Sequence, residues 1–239
     1  MKKKIMASLL IGSAVVGANL APLSAQAVTT GNTPVQVEFG GGTLPDQDSN
    51  NGSTTDPDLE SSNTNFDILA IPKRTAFETG KIGSDLSALK YSVGTYPDVY
   101  VGDLRGTKEG WHLTAEIQQM VNGTDTLSGD INFELINYYA EFRTAVNTEG
   151  IETGWYSLTS TLNGKNIAND ATAPTAVGTN IKIGGGASTI TSAGVGKGQG
   201  LWGVRFNKTT LNVTTPMQQL KKGAYTGTVT WNLVAGPSI

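Results

Sequence analysis

From residue 66 onward, apolar and polar positions alternate in short runs. Successive side chains of a β-strand point to opposite faces, so this alternation marks strands with one covered face. Residues 66–71, 96–101, 111–117, 130–136 and 140–145 fit it, as do 155–162, 181–183, 202–206, 210–213 and 225–233. Gly, Asn, Asp and Ser separate them at intervals of roughly ten residues, the rhythm of a sandwich or barrel. The best short helical candidate is 84–89, with Ser84 as its N-cap. The expected fold class is all-β: one β-sandwich-like or barrel-like domain of short antiparallel strands with long Gly-rich loops, over residues 64–239.

Upstream, the pattern changes twice. Residues 1–27 read as a secretory signal peptide, with Lys2, Lys3 and Lys4 ahead of an apolar run and Ala25-Gln26-Ala27 as the cleavage site. The run is interrupted by Ser8, Gly12, Ser13 and Asn19, and no second hydrophobic stretch of membrane length follows. No transmembrane segment is therefore expected after cleavage, and the protein is expected outside the cell. Residues 28–63 are polar and acidic, too poor in large apolar groups to offset ordering entropy, and are expected to be a disordered linker. Within them Val35-Gln36-Val37-Glu38-Phe39 alternates and is expected to add an edge strand. The spaced Asp residues from Asp46 to Asp58 lack a central glycine at the right offset with a glutamate closing the loop, as a calcium loop needs. The chain stops at Gly236-Pro237-Ser238-Ile239, without a hydrophobic tail and basic end, so attachment to a cell is expected to be non-covalent.

Composition narrows the chemistry. With no cysteine there is neither a disulfide framework nor a thiolate metal site. The net charge is −3, but no Asp or Glu follows Asp170, and residues 171–239 carry Lys182, Lys197, Arg205, Lys208, Lys221 and Lys222. This split suggests a basic end suited to anionic polymers, unless the fold mixes the two halves in space. Nucleic acid is not an expected partner.

Gly198-Gln199-Gly200-Leu201-Trp202-Gly203 satisfies G-x-G-x-x-G, yet it leads into Val204-Arg205-Phe206, a strand rather than the helix a dinucleotide site needs. Gly194 to Lys197 lacks the Ser or Thr of a phosphate loop. The segment 184–203 reads as a long flexible or tightly turning loop. His112 is the only histidine, so a triad or imidazole metal site would rest on it alone, and a surface position is expected. Glu116, Glu134 and Glu141 are the carboxylates on expected strands that could serve hydrolysis. Catalytic residues, metal ligands and cofactors are all expected to be absent.

Two segments repeat one another: Gly110-Trp111-His112-Leu113-Thr114-Ala115 and Thr230-Trp231-Asn232-Leu233-Val234-Ala235. In each Trp-x-Leu step the Trp and Leu share a face. The step alone is compatible with a buried core pair or with a ligand platform. The first is preceded by Val101-Gly102-Asp103-Leu104-Arg105-Gly106; the second lies in Gly223 to Leu233 with Tyr225 ahead of it and Pro237 behind. With these flanks the chain resembles the small WxL-domain surface proteins of Gram-positive bacteria, over about residues 64–239. The resemblance implies non-covalent attachment to peptidoglycan. It also implies partnership with other WxL-complex surface proteins, including a membrane-anchored WxL-interacting protein. Trp111, Leu113, Trp231 and Leu233 are then the domain-defining or binding residues. Tyr225, Trp202, Lys221 and Lys222 are possible auxiliary contacts. A structural subunit docking a partner or host ligand without touching glycan is the alternative.

Overall fold

The structure, a computed structural model, describes residues 34–48, 55–57, 62–94, 96–146 and 148–237. The signal peptide and its cleavage site lie outside the described residues, as do positions 28–33, 49–54 and 58–61 of the expected linker. The chain divides into two units, 1–38 and 39–239. Of the first, residues 34–38 are exposed and unpaired. The edge strand expected at 35–39 does not form, since alternation without a partner strand gains no ladder hydrogen bonds.

In the second unit the strands are, in chain order, β1 (Thr55–Pro57), β2 (Phe66–Pro72), β3 (Leu89–Lys90), β4 (Asp98–Asp103), β5 (Trp111–Glu116), β6 (Met120–Asn122), β7 (Asp125–Leu127) and β8 (Gly129–Val146). They continue as β9 (Glu152–Thr159), β10 (Thr161–Leu162), β11 (Lys165–Asn166), β12 (Thr175–Ala176), β13 (Asn180–Lys182), β14 (Ser188–Ala193), β15 (Gly200–Val213) and β16 (Thr230–Ala235). A large sheet runs β1-β2-β4-β15-β8-β13, with β3 added to β15 and β9 to β8; a small sheet runs β12-β14-β5-β16. All strand pairings are antiparallel and neither sheet closes into a barrel. The all-β sandwich-like class therefore holds.

One core joins the two sheets. Trp111, Leu113 and Ala115 of β5 and Ile190 and Ala193 of β14 meet Val99 and Val101 of β4, Phe133 of β8, and Trp202, Val204 and Phe206 of β15. On β5 burial alternates strictly, as a sheet with one covered face requires. The large sheet has a second, smaller apolar patch on its other face, built from Leu69, Ala70, Tyr100, Ala140 and Tyr156. Residues 39–48 cross that patch as a strap. Leu44 is 2 % exposed and sits in a hole left by Gly102, where any Cβ would meet its methyl carbons at 2.7 Å. Gln47 locks the strap: its Nε2 donates to the Thr55 carbonyl at 2.9 Å and its Oε1 accepts the Tyr156 N–H at 3.0 Å. Leu44 and Gln47, within the expected linker, are thus packed against the large sheet.

Other differences follow from tertiary context. The runs 130–136 and 140–145 fuse into the single strand β8. Those at 202–206 and 210–213 fuse into β15 across a bulge between Asn207 and Thr210, where Lys208 adopts φ 49°. The segment 184–203 is not all loop: Ser188–Ala193 forms β14, a Ser/Thr-rich strand whose apolar signal is only Ile190 and Ala193 between glycine clusters. No helix forms at 84–89; Ser84 is not a cap, and Asp85 Oδ1 accepts the Ser87 N–H in a local turn. Antiparallel pairing also mixes the two charge halves. Arg205 pairs with Asp98, Lys208 with Glu134 and Lys221 with Asp125, so half of the six cations after residue 170 are matched by acids before it. The basic end expected from the sequence does not form as such.

Candidate functional site

The two Trp-x-Leu steps are hydrogen-bonded neighbours. In the β5–β16 register Leu113 faces Leu233, Trp111 faces Ala235 and Ala115 faces Trp231. The antiparallel direction puts the leucines together at the centre and sends the indoles to opposite ends, each across from an alanine small enough to make room. All six side chains lie on one face of the small sheet, because register pairs share a face.

Their burial differs. Trp111 and Leu113 are 1 % and 0 % exposed, whereas Trp231 and Leu233 are half-buried, because β16 is the edge of its sheet. The Trp231 ring meets Phe206 edge to face at 5.7 Å, and Phe206 meets Phe133 at 4.8 Å in the same manner. These pairs are core elements, and Trp111 offers no face to a ligand.

A buried indole must place its N–H. Trp111 Nε1 donates to the Gly198 carbonyl at 2.8 Å, and Trp202 Nε1 donates to the same oxygen at 2.9 Å. Gly198 is itself buried with φ 75°, and a Cβ there would lie 2.3 Å from the Ala193 Cβ and 2.5 Å from Trp111 Nε1. Only glycine can therefore bring its carbonyl between the two rings. The Gly198 N–H donates to the Thr172 carbonyl at 2.8 Å. Asp170 holds that turn by accepting from the Thr172 hydroxyl at 2.6 Å and N–H at 2.8 Å, and it accepts from the Tyr139 hydroxyl at 2.7 Å. Tyr139 stacks at 5.2 Å on Trp202, closing the circuit. The bonds from Thr172 and Tyr139 hold the Asp170 carboxyl down at about 2. Burial and the Asp170 acceptor push the Tyr139 hydroxyl up to about 12. Asp170 and Thr172 carried no functional signal in the sequence, and Gly198 only that of a G-x-G-x-x-G pattern running into a strand, since each is an ordinary loop residue until the fold brings it to the indoles.

The remaining expected residues separate into two places. Trp202 is 2 % exposed and belongs to the indole node. Tyr225, Lys221 and Lys222 gather at the β6–β7 hairpin. There the Lys221 N–H donates to the Tyr225 hydroxyl at 2.9 Å, the Lys221 ammonium lies 3.3 Å from Asp125, and Asn122 donates to the Lys222 carbonyl at 3.3 Å. His112 is half-buried on the outer face of the small sheet, its Nδ1 2.8 Å from the Gly236 carbonyl. Of the three candidate carboxylates, Glu134 holds Lys208, Glu141 holds Arg143, and Glu116 lies on the other sheet opposite Thr230. Among the described residues no group of three or more His, Cys, Asp or Glu is placed to hold a metal, and no helix is long and apolar enough to cross a membrane.

No curated protein and no solved structure matches the chain. The family described as "WxL domain surface cell wall-binding" matches residues 26–237, nearly the whole length. The match extends upstream of residue 64 over the strap, in keeping with the burial of Leu44 and Gln47. Paired Trp-x-Leu steps on adjacent strands and a family match of this extent lead to one conclusion: the chain belongs to the WxL domain family of cell wall-binding surface proteins.

Proposed function

We propose that the protein, exported and cleaved after about Ala27, attaches non-covalently to peptidoglycan as a non-enzymatic component of a cell-surface complex. The observation that carries this reading is the cell wall-binding family match over 26–237. The packing of the motifs supports a division of labour. Trp111, Leu113, Trp231 and Leu233 define the domain by joining its sheets, and contact with wall polymer falls to exposed groups elsewhere. Lys222, exposed at the β6–β7 hairpin, is one such group. The test is sedimentation of the full secreted chain with purified peptidoglycan and no other protein. Cosedimentation is expected; a chain that stays in the supernatant refutes direct binding.

A second reading, docking to a partner protein of the complex such as a membrane-anchored WxL-interacting protein, is favoured by the β16 edge. Val234 is 42 % exposed there and Trp231 is only half covered, so an added strand would complete both the ladder and the burial. This reading predicts pelleting only when the partner is present.

A further inference from the structure

The glycine-rich start of the strap and the loop after β4 leave a cleft of about 460 Å³ between them. Phe39, Gly41, Leu104, Arg105, Lys108 and Gln199 line it. That volume lies in the range of small-ligand sites. What distinguishes the cleft is which of its groups are already committed. Arg105 is fully engaged: Asp103 accepts from its Nε at 2.9 Å and its Nη2 at 2.8 Å, Glu109 accepts from Nη1, and the guanidinium lies 3.6 Å over the Phe66 ring. It forms a wall. Lys108, by contrast, is exposed and has no ion pair among the described residues, and Gln199 is exposed with no side-chain hydrogen bond among them. Phe39 presents an aromatic face that is 88 % exposed. A second cation, Lys197, with no ion pair among the described residues, lies on the adjoining turn, which the Gly196 N–H ties to the Lys108 carbonyl at 2.8 Å.

The indole node fixes this geometry. Gly198, gripped by Trp111 and Trp202, is the residue before Gln199 and the residue after Lys197. The loop that supplies the amide and the second cation is thereby pinned to the core, while Lys108 belongs to the loop leading into Trp111 itself. An aromatic face, a free amide and unpaired ammonium groups around a glycine-floored cleft suit a ligand with an apolar sugar face beside an anion.

We propose that this cleft is the wall-binding site, with Phe39 against a sugar ring, Gln199 on an amide or hydroxyl, and Lys108, backed by Lys197, on an anionic group. The proposal rests on the wall-binding reading above. Wall polymers offer that anion from two sources, a stem-peptide carboxylate or a phosphodiester.

The test uses the full secreted chain, wild type and Lys108→Gln/Gln199→Ala, titrated with a soluble disaccharide-peptide fragment of peptidoglycan. The same fragment with amidated carboxyls and a glycerol-phosphate polymer serve as the comparison probes. The double variant is expected to bind at least about tenfold more weakly with an unchanged melting temperature, the effect of removing a hydrogen bond to a charged group. Lys182→Gln, at an exposed lysine on β13 with no ion pair among the described residues, should bind as wild type. Loss of wild-type binding on amidation assigns the anion to the stem carboxylate. Retained binding to the amidated fragment, with the glycerol-phosphate polymer bound in a Lys108-dependent manner, assigns it to the phosphodiester. If the double variant binds every probe as wild type does while wild type pellets with peptidoglycan, the cleft is refuted and wall binding stands. If wild type fails to pellet, both fall.

Discussion

The shared Gly198 carbonyl makes a quantitative prediction about Trp111 and Trp202. Replacing either by Phe keeps an aromatic ring and removes one indole N–H. Each bond is worth about 0.5–1.5 kcal/mol net, and the smaller ring adds its own packing loss. In either single variant the Gly198 oxygen keeps one donor, at 2.8 or 2.9 Å. In Trp111→Phe/Trp202→Phe it has none, and a buried acceptor without a partner costs about 1–3 kcal/mol. The double variant should therefore be less stable than the sum of the singles by about 1–2 kcal/mol. Urea denaturation followed by far-ultraviolet circular dichroism measures this, with unchanged m values as the check that the unfolded state is the same. Additivity within about 0.5 kcal/mol, or a double variant more stable than the sum, refutes the shared acceptor.

The paired motifs should respond unequally to truncation. Trp111→Ala is expected to cost about 3–5 kcal/mol and Trp231→Ala about 1–3 kcal/mol, read as midpoint shifts in the same denaturation; equal costs would contradict the difference in burial. Asp170, its carboxyl held at about 2, contributes stability that is complete above about pH 4 and lost as pH falls through 2. Tyr139, raised to about 12, contributes stability that is present below about pH 10 and lost as pH rises through 12. Asp170→Asn should flatten the melting-temperature profile on the acid side, and an unchanged slope there would remove Asp170 from the network.

Much of the fold was legible because its core strands obey simple alternation. Trp111-His112-Leu113-Thr114-Ala115 reads buried, half-buried, buried in strict order, and its pairing with the second step follows from two like patterns sharing one sheet. What could not be read depends on distant partners. Ser188–Ala193 looks like loop until it is seen to pair with β5 and β12 and to bury Ile190 in the core between the sheets. The strap looks like linker because its packing rests on one leucine and one glutamine, too little apolar content for a sequence pattern to register. The charge split failed as a guide to function for a related reason. Lysines from one half of the chain lie beside acids from the other wherever antiparallel strands and loops bring them together, as Lys208 and Glu134 do across β15 and β8.

A sequence signature that packs between two sheets still bears on binding when it fixes loops. Leu113 and Leu233 set the register of β5 and β16, and the Trp–Ala pairs fill the space on either side. The first step is buried, and the second is half-buried at the edge of its sheet. In the proposed cleft the consequence for binding would run through Trp111, whose indole fixes Gly198 and with it the turn bearing Lys197 and Gln199. This separates two kinds of variant that both lose wall binding. Trp111→Ala should lose it together with stability, since the same ring holds the core and the loop. Lys108→Gln should lose affinity at constant stability, because its side chain is exposed and makes no ion pair among the described residues. A Lys108→Gln protein that melted several degrees early would mean that the ammonium is a structural group after all, and would remove the strongest reason for placing the ligand in that cleft.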